Sequence, residues 1–151
     1  MTPIYSAFDI ANYFLLKAQE AQEEDQELIS NLKLQKLIYY AQGIHLASEG
    51  TPLFPDRIEA WTYGPVVPTL YHHYKTYGSS GIWAAKDFDA SLIDKDSREF
   101  LDDIYEVFGQ YSAIRLMNLA HSDECWISAG MGNEITHEAM ANCLTKYLKD
   151  G

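Results

Sequence analysis

The residues best suited by type to chemistry are His121-Ser122-Asp123-Glu124-Cys125, where an imidazole, a thiol and two carboxylates fall within five positions. A cysteine nucleophile needs its base within hydrogen-bonding reach and an anion site beside it, and proximity along the chain supplies neither. The structural alternative is that His121 closes its helix through the last carbonyls while Trp126 plugs the edge of the core. Metal ligation has thinner support: His72 and His73 are adjacent, so on a helix they point about 100° apart, and His45, His121 and His137 show no ligand spacing. Gly78 with Gly81 is too short to cradle a phosphate, and no cofactor motif is present.

Positioning any of these groups falls to the stretch from Ser30 to Gly50. Ser30 or Asn31 can cap its start and Gly50 can supply the left-handed residue that ends it, leaving a helix of about five turns. At helical spacing Leu34, Leu37, Ile38, Ala41 and His45 share one face, Leu32, Tyr39 and Leu46 a second, and Tyr40, Gly43 and Ala47 a third. A helix apolar nearly all round belongs inside a ring of others. Lys33, Gln35, Lys36 and Gln42 interrupt it and imply a polar seam beside the core, since a buried polar group must reach solvent or find a partner. His45, on the most apolar face, reads as a hydrogen-bonded core histidine.

Around that helix the chain alternates short elements. Ser6 and Asp9 form a capping box for a first helix over about Ala7 to Gln22, followed by an acidic run of Glu20, Glu23, Glu24, Asp25 and Glu27 that reads as a solvated helix end and loop. Residues 57–63 alternate as a strand, Gly64-Pro65 breaks it, and Pro65 and Pro68 suit the start of a helix running through Leu70, Tyr71, Tyr74 and Tyr77 to Gly78. Ile82 to Ile93 has no period and is expected to be irregular, with room for a short strand or hairpin against the one near Trp61. From Lys95 a helix presents Phe100, Leu101, Ile104, Val107, Phe108 and Tyr111 inward, and a shorter one capped near Ser112 runs to His121. Ser122 to Ile135 reads as a loop, and Thr136 caps a last helix facing Ala139, Met140, Cys143, Leu144, Tyr147 and Leu148 inward. The expected fold is mainly α: a compact single domain over residues 1–151 around a buried central helix, with a short β-hairpin at most.

The chain has 151 residues, 47% of them hydrophobic, enough for one sizeable core. A net charge of −11 argues against nucleic-acid binding, which needs lysine and arginine stripes, and no basic recognition helix supports a transcriptional regulator. It favours encounter with a basic protein surface. With no leader and no apolar run of about 18 residues, membrane association is not expected and the cytoplasm is the natural compartment, where Cys125 and Cys143 stay reduced. Eleven tyrosines suggest a protein interface, because tyrosine joins a large apolar body to a polar tip. Tyr63, Val67, Tyr71 and Tyr74, around the rigid turn from Trp61 to Pro68, are the expected partner contacts. Trp61, Gly64 and Pro65 would only close the core, with Lys33 and Lys36 tying the turn down through its carbonyls.

The blocks Asn31-Leu32-Lys33-Leu34-Gln35-Lys36-Leu37, Tyr39-Tyr40-Ala41-Gln42-Gly43 with His45-Leu46, Ile58-Glu59-Ala60-Trp61, Tyr63-Gly64-Pro65-Val66-Val67-Pro68, Tyr111-Ser112-Ala113, Leu116, His121 and Trp126 resemble the Panacea antitoxin family, which includes SocA-like antitoxins and phage-associated proteins. Ile44 stands where that family often has tryptophan, and Cys125 where proline is expected before Trp126. The resemblance implies a non-catalytic, cofactor-free domain that neutralises a toxin by binding it, one branch acting as an adaptor that presents the toxin to a cellular protease. A small enzyme using His121 and Cys125 is the alternative from another class.

Overall fold

The computed structural model of the protein describes residues 5–21 and 28–148. The central helix forms as α2, Asn31–Glu49. Ser30 Oγ accepts from the Lys33 N–H at its start, and Gly50, at φ 76°, ends it by donating to the Leu46 carbonyl. The residues from Leu34 to Leu46 are buried on every side of the helix. The surrounding ring is built from α1 (Ala7–Ala21), α3 (Pro68–Tyr74), α4 (Lys95–Phe108), α5 (Ala113–His121) and α7 (His137–Cys143). The Ser6–Asp9 capping box closes reciprocally at 3.1 and 3.2 Å. Gln22, Glu23, Glu24, Asp25 and Glu27 lie outside the described residues.

Three short antiparallel strands, β1 (Ile58–Trp61), β2 (Gly64–Val66) and β3 (Glu134–Ile135), pair in the order β2-β1-β3. The first strand ends at Trp61, Thr62-Tyr63 make the turn, and Gly64-Pro65, expected only to break the strand, open β2 of a hairpin. Gly64 takes φ 109°, a conformation glycine adopts freely, and Pro65 sits opposite Ala60, whose own N–H and carbonyl bond towards Asn133 and Gly132 on the other side. The missing proline N–H therefore interrupts no ladder bond. Ile82–Ile93 is irregular as expected and forms no strand: Ala85 N–H donates to Asn12 Oδ1 at 2.8 Å and Ala84 N–H to Gln19, so side chains of α1 satisfy this segment in place of a neighbouring strand.

Two further expectations change. Ser122 to Ile135 is not a loop but holds α6 (Glu124–Ala129) and β3, elements too short to leave a period in the sequence. Val107 faces solvent on α4, where Ser97, Leu101, Ile104 and Phe108 are the buried residues. Beyond α7 a 3₁₀ turn, Leu144–Tyr147, continues along α2.

The polar seam of α2 is buried and bonded. Gln42 Nε2 donates to Phe54 O and its Oε1 accepts from Leu53 N–H, both at 2.8 Å, fixing the connection that leaves the helix. His45 Nδ1–H donates to Thr51 O at 2.5 Å, a carbonyl that can only accept. Lys33 donates to Gly109 O at 2.6 Å, at the end of α4, and not to the hairpin. Lys36, with 0% exposure, donates to Pro65 O at 3.0 Å, and burial pulls its ammonium down to about 7.

Leu37→Ala should cost roughly 2–5 kcal/mol and Ala41→Asp at least as much, both read by chemical denaturation. Near-wild-type stability in either would mean that α2 is peripheral. Between pH about 7 and 10.5 the unfolded chain holds a proton on Lys36 that the folded chain has released, so stability should rise with pH across that window, by at most about 1.4 kcal/mol per unit. Lys36→Met should remove this slope. A slope unchanged between wild type and variant at pH 7 and 9 would show that Lys36 stays charged in the fold.

Candidate functional site

The hairpin joining β1 to β2 is held from beneath by side chains of three helices. Lys36 and Gln35 of α2 take the outward edge of β2, Lys36 on Pro65 O and Gln35 Oε1 on the Val67 N–H at 2.9 Å. From α5, His121 Nε2–H donates to Thr62 O at 2.9 Å; from α6, Trp126 Nε1–H donates to Trp61 O at 3.0 Å, with the His121 and Trp126 rings 4.4 Å apart. His121 therefore serves a distant turn rather than its own helix end, and Trp126 acts as a donor as well as a filler. A side chain at Gly64 would be strained by its φ of 109°, and its Cβ would lie 2.5 Å from Lys36 Cε, so Lys36 would have to shift.

The cluster His121 to Cys125 disperses in space. Asp123, with 0% exposure, turns away from capping α6 and accepts from Tyr39 OH at 2.8 Å, Tyr40 OH at 3.0 Å and Lys146 Nζ at 2.7 Å. Since Tyr39 spends its one proton on Asp123, the Cys125 thiol 3.1 Å away is the donor in their contact. Burial pushes Cys125 up to about 12, with the hydrogen bond to Cys143 adding to the rise, and burial likewise raises both tyrosines. A thiol so protonated is a poor nucleophile. Both cysteines are free, and among the described residues no group of three or more histidines, cysteines or carboxylates could hold a metal.

What the molecule offers its surroundings lies on the other side of the hairpin. A groove of about 870 Å³ opens between the hairpin tip and the starts of α2 and α5. Its aromatic wall is Trp61, Tyr63 and Tyr71, with Trp61 and Tyr71 edge to face at 5.0 Å and the Trp61 indole N–H fixed on Glu59 at 2.9 Å. Its aliphatic wall is Ile114, Met117 and Met131, and its floor includes Leu32 and Val66. Asn31 and Gln35 run a fixed relay beneath: Asn31 Nδ2 to Tyr71 O at 3.2 Å and Gln35 Nε2 to Asn31 Oδ1 at 2.9 Å. Three large apolar side chains stand out into solvent here, Tyr63 at 67%, Met131 at 61% and Ile114 at 57% exposure. Among the described lining residues none is an aspartate or glutamate, and Lys75 is the sole charge.

Of the contacts read from sequence, Tyr63 and Tyr71 line this groove, whereas Val67 and Tyr74 are buried at 1% and 5% exposure, so neither presents its side chain to a partner. Ile114 and Met131 escaped sequence reasoning. Each carried a signal: Ile114 lies off the Leu116–Ala120 stripe of its helix, and Met131 is an apolar residue between two glycines.

Residues 34–127 match the family described as Antitoxin SocA-like, Panacea domain. The chain is 35% identical over 104 residues to Antitoxin SocA of Caulobacter vibrioides (strain NA1000 / CB15N), a match covering 62% of this chain and 55% of that protein, so the chain spans about half the length of the curated relative. No solved structure matches. The matched segment contains most of α2, the hairpin and its anchors His121 and Trp126, and the chain belongs to the SocA-like antitoxin family with its Panacea domain.

Proposed function

We propose that this chain is a cytoplasmic antitoxin that neutralises a protein toxin by direct, non-catalytic binding through the groove face, with Tyr63 and Tyr71 as anchors. The observation that carries this reading is a pre-ordered aromatic groove free of carboxylates on a molecule of net charge −11. Tyr71, held edge to face against Trp61, loses little entropy on association, which is how few residues come to dominate an interface. Family membership supports a toxin as the partner, and the surrounding acidity would speed encounter with a basic one.

The test is co-expression with the product of the neighbouring gene, combined with titration of the purified pair. Tyr63→Ala and Tyr71→Ala should each weaken binding by about tenfold or more, roughly 1.4 kcal/mol, with unchanged melting. Cys125→Ala, at a residue that does not line the groove, should leave neutralisation within a few-fold, since Cys125 is given no catalytic role. A loss beyond about a hundredfold, with the melt intact, would instead indicate an enzyme.

A further inference from the structure

We infer that the groove seats an amphipathic helix of the partner, apolar side chains down and lysines or arginines along its flanks. This rests on the toxin-binding reading and adds what kind of segment the toxin must present. The first reason is that strand addition has no backbone groups to use at the hairpin edge facing α2. There Pro65 O is taken by Lys36, the Val67 N–H by Gln35, and Pro65 brings no N–H of its own. A partner strand therefore cannot extend the sheet at that edge, and the groove on the other side is lined mainly by side chains, a surface that suits a helix because a helix satisfies its own backbone.

The second reason is chemical. A groove of about 870 Å³ is as large as ordinary ligand clefts, roughly 300–1,000 Å³, and accepts several apolar side chains against Tyr63, Ile114 and Met131. The molecule as a whole carries 22 aspartates and glutamates against 11 lysines and arginines. Apolar anchors thus enter a floor without opposing carboxylates, while basic flanks meet the acidic exterior, and exposed Lys75 keeps its ammonium in solvent on a long stem. The same net charge disfavours a second copy of this chain as occupant, because two such surfaces repel.

The probes are three labelled 15-residue peptides built on one helical frame: leucines at i, i+3, i+4 and i+7 with lysines elsewhere, the same with glutamates for lysines, and the lysine version with alanines for leucines. Fluorescence anisotropy with the full chain should give saturable binding of the leucine–lysine peptide, and at least tenfold weaker binding of the other two. In the chain, the double substitution Ile114→Ser with Met131→Ser should weaken the leucine–lysine peptide at least tenfold at unchanged melting temperature. Leu92→Ser, which removes an equally exposed apolar residue outside the groove, should change nothing. Equal binding to wild type and double variant would overturn the inference, since the peptide would then be adsorbing to the acidic surface, as would equal binding of the glutamate peptide. Either result leaves neutralisation through another face standing. Groove-dependent peptide binding by a chain that fails to protect cells in co-expression would remove the toxin reading and keep the helix site.

Discussion

Asp123 is a carboxylate taken entirely out of water, and the arrangement of the molecule follows from what must be brought to it. Two adjacent tyrosines of α2 donate to one of its oxygens and Lys146 to the other. A buried charge left without partners costs several kcal/mol, so the rotation of α2, the entry to α6 and the turn after α7 have to be correct together. Tyr40 stacks on Phe108 of α4 at 4.3 Å and meets Tyr147 edge to face at 5.6 Å, which extends the same requirement to α4 and ties the turn after α7 a second time through ring packing.

The helical frame was legible because its caps and stripes are local. Ser6–Asp9, Ser30, Ser112 and Thr136 each announce a helix start through a side chain that bonds within three residues, and the burial of α2 on all faces follows from its composition alone. The segments that carry no local signal are those whose bonds go elsewhere. Ile82–Ile93 leans on Asn12 and Gln19, about 70 residues upstream in the sequence, and Asp123 turns inward at the position where an aspartate would ordinarily advertise a helix cap. The groove was half legible: Tyr63 and Tyr71 belong to the tyrosine cluster, but Ile114 and Met131 reach it from separate elements, and nothing local says that α5 and the loop before β3 converge on the hairpin.

The hairpin joins an inner and an outer role. Its inner side hands backbone groups to Lys36, Gln35, His121 and Trp126, and the family blocks that mark this chain contain all four. Its outer side carries the exposed ring of Tyr63 and one wall of the groove. Lys36 and His121, which look basic or catalytic in the sequence, are thus occupied in holding a loop still, while the groove is lined largely by apolar and aromatic side chains.

Lys146 belongs to the 3₁₀ turn after α7, and its bond to Asp123 changes how that end of the described chain should breathe. Burial works against its ammonium, but the hydrogen bond and the charge of Asp123 outweigh it and raise the Lys146 pKa, so its ammonium stays protonated at neutral pH. Closing turns usually fray at little cost, and their amides exchange with solvent by local opening. Here, lifting the turn strips a counter-charge from an interior carboxylate. Exchange at Leu144 to Tyr147 should therefore follow cooperative unfolding of the core, making the turn part of the same folding unit as α2.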